Sequence, residues 1–197
     1  MVANTEKGWF SVPGIRECAD RTVEEQMLGL DRALAECPGK TVLDLGCAEG
    51  AIGLAFARAG AKRVLGIEWL GPHLDVARKL CKGQENIQFI QANLWDWMQE
   101  NPEPELFDIV LCLGIAHKMR EPDPFVRWSA RAVADLFCFR APAKVDNDGG
   151  DYVIRSKHFN GRCNVPKAMR ESGFVDEGTV AGVRGEGVQY WRRRRQL

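Results

Sequence analysis

No apolar run in the sequence is long enough to span a membrane, since charged or polar residues interrupt each hydrophobic stretch before about eighteen residues. The N-terminus also lacks the hydrophobic segment of a secretory signal peptide. Positive and negative side chains balance at 27 each, so no net field favours nucleic acid or an anionic membrane. These absences predict a cytoplasmic protein without a membrane partner.

The cysteines form no C-x-x-C pair, and their number, seven, is odd. Several lie in segments that are typical of buried strands, where a free thiol behaves as a small hydrophobic side chain. They are therefore predicted to be reduced and structural. Cys163 lacks the Pro-Cys or Thr-Cys context of a nucleophile that methylates pyrimidines. The full set is Cys18, Cys37, Cys47, Cys81, Cys112, Cys138 and Cys163.

A strand followed by a glycine-rich turn is the most informative feature that is present. Apolar Val42, Leu43 and Leu45 favour a buried parallel strand. Gly46 and Gly50 allow the backbone to turn sharply and approach a ligand before a helix begins. Such a turn directs free N–H groups at the ligand, which predicts a site for a nucleotide-type cofactor.

A second predicted strand, residues 63–68, ends in the carboxylate of Glu68. A carboxylate at this place can accept both hydroxyl protons of a ribose. Trp69 follows directly, and its ring either lies against an adenine face or is an ordinary core or surface tryptophan. Glu68 is therefore the strongest single ligand candidate.

The sequence Asp44-Leu45-Gly46-Cys47-Ala48-Glu49-Gly50 differs from the G-x-G-x-x-G of a dinucleotide site. It resembles motif I of the class I S-adenosylmethionine-dependent methyltransferases, with Ala48 where that family often has glycine. Asp44 and Glu49 would repel phosphates but suit a ligand with an amino acid group and a sulfonium. The alternative is an ordinary strand-to-helix turn of another α/β protein.

The resemblance extends over residues 40–140 and implies S-adenosylmethionine as the cofactor. In the family pattern, Asn93 meets the adenine amino group and the Leu94 N–H meets a ring nitrogen, although a lone Asn is otherwise a turn former. The implied fold is a Rossmann-like, doubly wound, mostly parallel seven-stranded sheet with an antiparallel C-terminal edge, whose strand ends converge on the ligand. The cofactor-binding residues implied are Asp44, Gly46, Cys47, Ala48, Gly50, Glu68, Trp69, Asn93, Leu94 and Leu113.

Residues 1–39 are predicted to form an N-terminal helical extension that closes over the cofactor, and residues 40–197 the methyltransferase domain. Thr22-Val23-Glu24-Glu25 is a capping box that opens one helix, which continues to Pro38. Further along the chain, residues 122–136 are predicted as a helix and 137–140 as the fifth strand. Residues 174–180 and 188–191 are predicted as closing antiparallel strands.

Methyl transfer is an in-line displacement, so the protein mainly positions the acceptor and handles its proton. His117 follows the fourth predicted strand and is the candidate general base, with loop orientation as the alternative role. The sequence Leu113-Gly114-Ile115-Ala116 lacks the Asn/Asp-Pro-Pro-aromatic run of adenine and glutamine methylation, and also the carboxylate of metal-assisted catechol methylation. The acidic stretch 146–151 lacks EF-hand spacing and is predicted to be a solvated turn. No metal site is therefore expected.

Three functions stay open: methylation of an oxygen or nitrogen of a small molecule, tRNA or other RNA modification, and a non-catalytic subunit that binds S-adenosylmethionine. Trp9, Phe10, Trp95 and Trp97 either wall a pocket for a flat acceptor or belong to the core. The arginine run 192–195 either grips RNA phosphates or forms a solvated tail that protects the sheet edge. A wider RNA surface would add Arg16, Arg21, Lys118 and Arg120 to Arg192, Arg193, Arg194 and Arg195.

Overall fold

The computed structural model describes residues 8–12, 14–15, 19–142 and 145–194, and the side chains of Trp9 and Phe10 are not among what it describes. Predictions about Arg16, Cys18, Arg195 and those two aromatic side chains lie outside the described residues. Within the described part, no helix combines the length and the apolar character that crossing a bilayer requires. The chain divides into two compact units, residues 1–94 and 95–197, which are described in turn.

The first unit alternates strands and helices. Its strands are β1 (Gly8–Ser11), β2 (Ala19–Thr22), β3 (Thr41–Leu45), β4 (Arg63–Glu68) and β5 (Ile87–Gln91). Its helices are α1 (Val23–Met27), α2 (Asp31–Glu36), α3 (Ala51–Arg58) and α4 (Gly71–Leu80). β1 and β2 pair with each other in a small parallel sheet, while β3, β4 and β5 are parallel neighbours in the main sheet.

Helix α3 packs against the side chains of β4 and β5 at a glycine. A Cβ on Gly53 would lie 3.1 Å from Ile87 Cδ1 and 3.4 Å from Val64 Cγ1. The remaining core-facing positions of α3 are apolar and buried, which gives the helix most of its stability. The predicted order of a buried strand, a glycine-rich turn and then a helix is confirmed.

The N-terminal helix is correct at its start and wrong in its length. The capping box is present, because Glu25 N donates to Thr22 Oγ1 at 3.1 Å and Thr22 N donates to Glu25 Oε2 at 2.9 Å. The helix then ends, since Leu28 is extended (φ −54°, ψ 128°) and Gly29 is left-handed (φ +82°). Neither conformation continues a helix, so two short helices, α1 and α2, replace the single predicted one.

The second unit begins with α5 (Leu94–Glu100), whose first residue closes the preceding unit, and β6 (Phe107–Leu113). A 3₁₀ helix (Ala116–Lys118) precedes α6 (Pro122–Arg131) and β7 (Val133–Arg140). Then follow β8 (Asp146–Asp148), β9 (Asp151–Arg155), β10 (Arg162–Asn164), α7 (Val165–Glu171) and β11 (Phe174–Val180). A second 3₁₀ helix (Val183–Gly185) leads to β12 (Val188–Arg193).

The main sheet has seven strands in the order β11-β12-β7-β6-β3-β4-β5, and only the pairings of β12 with β7 and β11 are antiparallel. This confirms the predicted α/β class, a Rossmann-like, mostly parallel sheet with an antiparallel C-terminal edge.

Two predictions about the second unit are wrong. Helix α6 ends at Arg131 because the chain joins the sheet directly after it. The Ala132 carbonyl accepts the Phe107 N–H at 2.8 Å and Val133 pairs with Phe107 of β6, so β7 starts at Val133 rather than Phe137. The acidic stretch 146–151 is a hairpin of β8 and β9 whose turn contains left-handed Gly149 and Gly150. With β10 it forms a three-stranded antiparallel sheet that the sequence analysis did not predict.

Candidate functional site

The turn between β3 and α3 is left-handed at three of its residues. Gly46, Ala48 and Gly50 have φ values of +76°, +47° and +73°. The N–H groups of Gly46 and Cys47 both donate to the carbonyl of Ile67, at 2.9 and 3.1 Å. The turn is therefore bonded to Ile67, the residue before the end of β4. Its left-handed conformation favours glycine, and Ala48 is the exception among the three residues.

Glycine is also required here by close approach. A Cβ on Gly50 would lie 2.8 Å from Phe89 Cζ, and a Cβ on Gly66 would lie 2.7 Å from Cys47 Sγ. Real Cβ atoms do not approach so closely, so side chains at Gly50 and Gly66 would displace the turn or the ring of Phe89. Gly66 and Phe89 support the site, and the sequence analysis missed both of them.

Glu68 is held in one orientation by backbone donors. Its Oε1 accepts hydrogen bonds from the N–H groups of Trp69 and Leu70, at 2.9 and 3.0 Å, and its Oε2 accepts one from Ala48 at 3.1 Å. The side chain is 7% exposed. An ionised carboxylate offers about four acceptor positions, so three N–H donors leave one position open, on Oε2. That position is available to a ligand hydroxyl.

Asp44 is a buried carboxyl group next to Glu68. It is 3% exposed, and its Oδ2 has no hydrogen-bond partner among the described residues. Burial, and after it the charge of Glu68, raises the pKa of Asp44 to about 7. An orphaned oxygen of this kind is costly unless a ligand or proton satisfies it.

Glu49 and His73 form a pair that the sequence analysis did not predict. Glu49 is fully buried and His73 is 3% exposed, and the distance between Glu49 Oε1 and His73 Nε2 is 3.7 Å. Glu49 Oε1 therefore lies beside helix α4, and the role of Glu49 toward a ligand stays a prediction. No local sequence signal indicates this pairing, because the two residues come from separate elements.

The adenine-side candidates lie at the ends of β4 and β5. The Trp69 side chain is 56% exposed, and its carbonyl accepts a hydrogen bond from Gln91 Nε2 at 3.2 Å. Asn93 is exposed two residues after β5, and Leu94 is buried at the start of α5. More than half of the Trp69 side chain is thus open to solvent.

The structure thus brings the candidates of the first unit to the carboxyl ends of three parallel strands, β3, β4 and β5. This is the location at which open α/β sheets bind ligands. The residues concerned are Asp44, Gly46, Cys47, Ala48, Gly50, Glu68, Trp69, Asn93 and Leu94.

Leu113 and His117 belong to the second unit. Leu113 is the last residue of β6, and His117 lies in the 3₁₀ helix that follows. Burial, and after it Lys118, lowers the pKa of His117 to about 4. Its Nδ1 is buried without a hydrogen-bond partner in the described part of the chain, and its carbonyl accepts the Lys157 N–H at 2.6 Å. The imidazole is therefore neutral at physiological pH.

The arginine run is largely engaged with the protein itself. Arg192 Nη1 lies 3.0 Å from Asp135 Oδ2, and its Nε bonds Glu177 at 3.2 Å. Arg193 donates to the carbonyls of Val133 and Ala130, at 2.7 Å each, and its guanidinium lies 4.6 Å from the Phe174 ring centroid. Arg194 is exposed. The first two arginines therefore anchor β12 rather than project into solvent.

The acidic hairpin and the thiols are structural elements. Asp146 pairs with Arg155, and Asp151 pairs with Arg170. In the described ranges, no group of three or more His, Cys, Asp or Glu side chains is arranged to hold a metal ion. Six cysteines are free and buried, and burial raises the pKa of Cys163 and of Cys47. Thiols with raised pKa values are poor nucleophiles.

Residues 42–135 match a protein family described as "Methyltransferase domain". A ubiquinone biosynthesis O-methyltransferase of Actinobacillus pleuropneumoniae serotype 5b (strain L20) is 38% identical over 91 residues, which are 44% of this chain and 37% of that protein. The chain thus matches well under half the length of such curated relatives.

Two solved structures share the fold. The N-terminal domain of EvdMO1 with SAH bound superposes with a TM-score of 0.65 at 24% identity, over 93% of this chain and 89% of that one. Magnesium protoporphyrin IX methyltransferase (ChlM) from Synechocystis PCC 6803, with SAM bound, superposes with a TM-score of 0.62 at 18% identity, over 87% and 80%.

Proposed function

We propose that the chain is a class I S-adenosylmethionine-dependent methyltransferase that transfers a methyl group from S-adenosylmethionine to an oxygen or nitrogen of a small-molecule acceptor, without a metal ion. The observation that carries the proposal is the orientation of Glu68, whose carboxylate is fixed by three backbone N–H groups beside the glycine-rich turn. The O-methyltransferases among the relatives favour an oxygen acceptor.

The residues of the first unit fit S-adenosylmethionine in chemistry. Glu68 would bind a ribose hydroxyl through its open Oε2 position, and the turn from Gly46 to Gly50 would accommodate the amino acid part. Asp44 supplies a buried carboxyl group for a cationic ligand, and two buried carboxyl groups disfavour a pyrophosphate. Trp69, Asn93 and Leu94 would surround the adenine.

The bound cofactor supplies an activated methyl group on a sulfonium, so the protein has to orient the acceptor and handle its proton. His117 is the proposed base. With a pKa of about 4 its imidazole is neutral and can accept a hydrogen bond from an acceptor hydroxyl. It is too weak a base to ionise an aliphatic alcohol, so the proposal favours an acidic acceptor such as a phenol.

Two further expectations belong to the same proposal. Residues 1–39 would close over the bound cofactor, and the protein would act in the cytoplasm. Closure is tested by protease protection of residues 1–39 with and without adenosylhomocysteine. The location is tested by cell fractionation.

The test of the proposed function has two arms. Calorimetry measures binding of adenosylhomocysteine and of NADH, and labelled S-adenosylmethionine measures methyl transfer to panels of phenols, amines and tRNA. Binding of adenosylhomocysteine with transfer to a small acceptor supports the proposal. Tight NADH binding without adenosylhomocysteine binding contradicts the cofactor, and transfer to tRNA alone contradicts the acceptor. Cofactor binding without transfer to any acceptor would favour the non-catalytic subunit.

A further inference from the structure

A loop of the second unit, residues 156–161, is docked on the segment that carries His117. The loop is closed by a hydrogen bond from Ser156 N to the carbonyl of Gly161 at 2.7 Å. Two bonds then join it to the His117 segment: Lys157 N donates to the carbonyl of His117 at 2.6 Å, and Ser156 Oγ donates to the carbonyl of Met119 at 2.7 Å. These two hydrogen bonds therefore hold the loop against the His117 segment.

The docking depends on a glycine at the closing position. A Cβ on Gly161 would lie 2.3 Å from the carbonyl oxygen of Arg120 and 2.8 Å from Pro122 Cδ. Any side chain at Gly161 would push the loop away from the backbone of the His117 segment. The position of the loop is thus specified by the sequence at this contact.

The loop adds positive charge around a neutral imidazole. Besides burial, Lys118, Lys157 and His158 each lower the pKa of His117, and Glu186 is the carboxylate that opposes them. Lys157 and His158 are exposed, and Lys118 is half-buried. Cations gathered beside a partly desolvated site attract an anionic ligand group and raise its local concentration.

An exposed aromatic ring belongs to the same loop as Lys157 and His158. Phe159 is 53% exposed, and the Arg120 guanidinium lies 6.0 Å from the centroid of its ring. Burial does not account for a phenylalanine at this place, whereas a ring with one open face can pack on a flat ligand.

We infer that residues 156–161 form an acceptor-recognition loop, in which Lys118 and Lys157 hold a carboxylate or phosphate of the methyl acceptor beside His117 and Phe159 packs on its flat part. The inference rests on the proposed function, since it names the class of acceptor: a small anionic aromatic molecule. The docked loop keeps the backbone of Lys157 bonded to the His117 segment, so the two lysines act together on one anionic group next to His117.

The test uses 4-hydroxybenzoate and 4-hydroxybenzamide, two probes of equal shape that differ in charge. Binding to the full chain, saturated with adenosylhomocysteine, is measured by calorimetry and by the NMR shift of the His117 imidazole. We expect 4-hydroxybenzoate to bind about tenfold more tightly than the amide. Inorganic phosphate is the third probe: competition with the benzoate supports one site for both anions, and the absence of competition restricts the site to carboxylates.

Three variants locate the effect. Lys157→Glu should abolish the preference for the benzoate, and Phe159→Ala should weaken both probes alike. Lys167→Glu is the matched control, because Lys167 is exposed on α7 and is not among the groups that act on His117. Melting temperature and adenosylhomocysteine affinity, measured for each variant, show that the fold is retained.

The outcomes separate the inference from the function on which it rests. Equal binding of both probes, or an unchanged preference in Lys157→Glu, overturns the inference. The proposed function still stands in that case if adenosylhomocysteine binds. Absence of adenosylhomocysteine binding in the unmodified chain overturns the function and the inference together. A single-stranded RNA that binds more tightly than the benzoate, and loses affinity in Lys157→Glu, overturns the small-molecule assignment in favour of RNA.

Discussion

The backbone N–H of Ala48 donates a hydrogen bond to Glu68 Oε2 at 3.1 Å, which joins the centre of the glycine-rich turn to the carboxylate at the end of β4. Ala48 is left-handed at φ +47°, a conformation that costs a residue with a Cβ about 1–2 kcal/mol. A bond to a charged acceptor contributes about as much. The strained residue is therefore held by the same carboxylate that is proposed to bind the ribose.

Glu68→Gln tests this coupling. The amide nitrogen cannot accept an N–H, so at least one backbone donor loses its partner, and we expect adenosylhomocysteine to bind at least about tenfold more weakly. The melting temperature should also fall by a few degrees. Calorimetry and thermal unfolding are the measurements, with Glu85→Gln as the control, since Glu85 is exposed in a turn of the same unit. Unchanged affinity in Glu68→Gln would show that the ribose assignment is wrong.

A comparison of Gly50→Ala with Gly83→Ala separates the cost of a close contact from the cost of backbone strain. Both Gly50 and Gly83 are left-handed, at φ +73° and +85°, but only a Cβ on Gly50 meets a neighbour, Phe89 Cζ at 2.8 Å. We expect both alanine variants to lose about 1–2 kcal/mol from strain, and Gly50→Ala to lose about 1–3 kcal/mol more from overpacking. Urea unfolding measures the difference, and equal losses would contradict the contact with Phe89.

The raised pKa of Asp44 predicts that cofactor affinity depends on pH. Its pKa is raised to about 7 by burial and by Glu68, so the group is mostly protonated below neutral pH. A cationic ligand prefers the carboxylate, so affinity for S-adenosylmethionine should rise by about eightfold between pH 6 and pH 7.5. Asp44→Asn should bind with a flatter profile. Equal slopes for the two proteins in calorimetry would contradict the assignment.

The raised pKa of Asp44 has the opposite effect on the free energy of unfolding, which falls as the pH rises. The folded pKa of Asp44 lies above the ordinary value of 3.8, so the folded state prefers the protonated form. Its contribution is therefore complete below about pH 4 and is lost as the pH rises through about 7. Asp44→Asn should remove that loss, and urea unfolding at pH 5 and pH 8 compares the two proteins.

Much of the fold could be predicted because strands covered on both faces have nearly continuous apolar sequences. β3 and β6 are of this kind, and their ends carry the candidate residues. The break after α1 could not be predicted in this way, since the apolar spacing of Val23 and Met27 before it continues with Leu30 and Leu34 after it. The strands β8 and β10 were missed because each is short and mostly polar.

A local motif allows a candidate site residue to be predicted from the sequence, whereas a contact between distant residues cannot be predicted in this way. Glu68 follows from its strand and its spacing to the turn. The pairing of Glu49 with His73 does not, because only the fold brings α4 to the turn. The lowered pKa of His117 also depends on the fold, since burial causes it first and Lys118 second.

His117 is expected to titrate far below the ordinary range of histidine. Its pKa is lowered to about 4, first by burial and then by Lys118. The turnover profile should therefore show no His117 ionisation between pH 5 and pH 8, and NMR titration of the imidazole measures the pKa directly. His117→Gln should lower turnover on an accepted phenol by about a hundredfold if His117 is the base. Retained turnover would leave it with the role of orienting its loop.

Arg193 is expected to stabilise the fold, whereas Arg194 is not. Arg193 donates to the carbonyl of Ala130 in the last turn of α6 and to that of Val133 at the start of β7, and it packs on the Phe174 ring, so Arg193→Ala should destabilise the chain by about 1–3 kcal/mol. Arg194 is exposed, and Arg194→Ala should change stability by less than about 0.5 kcal/mol. Urea unfolding measures both variants. If Arg193→Ala instead left stability unchanged and weakened RNA binding, the arginine run would be a nucleic-acid contact and not an anchor of β12.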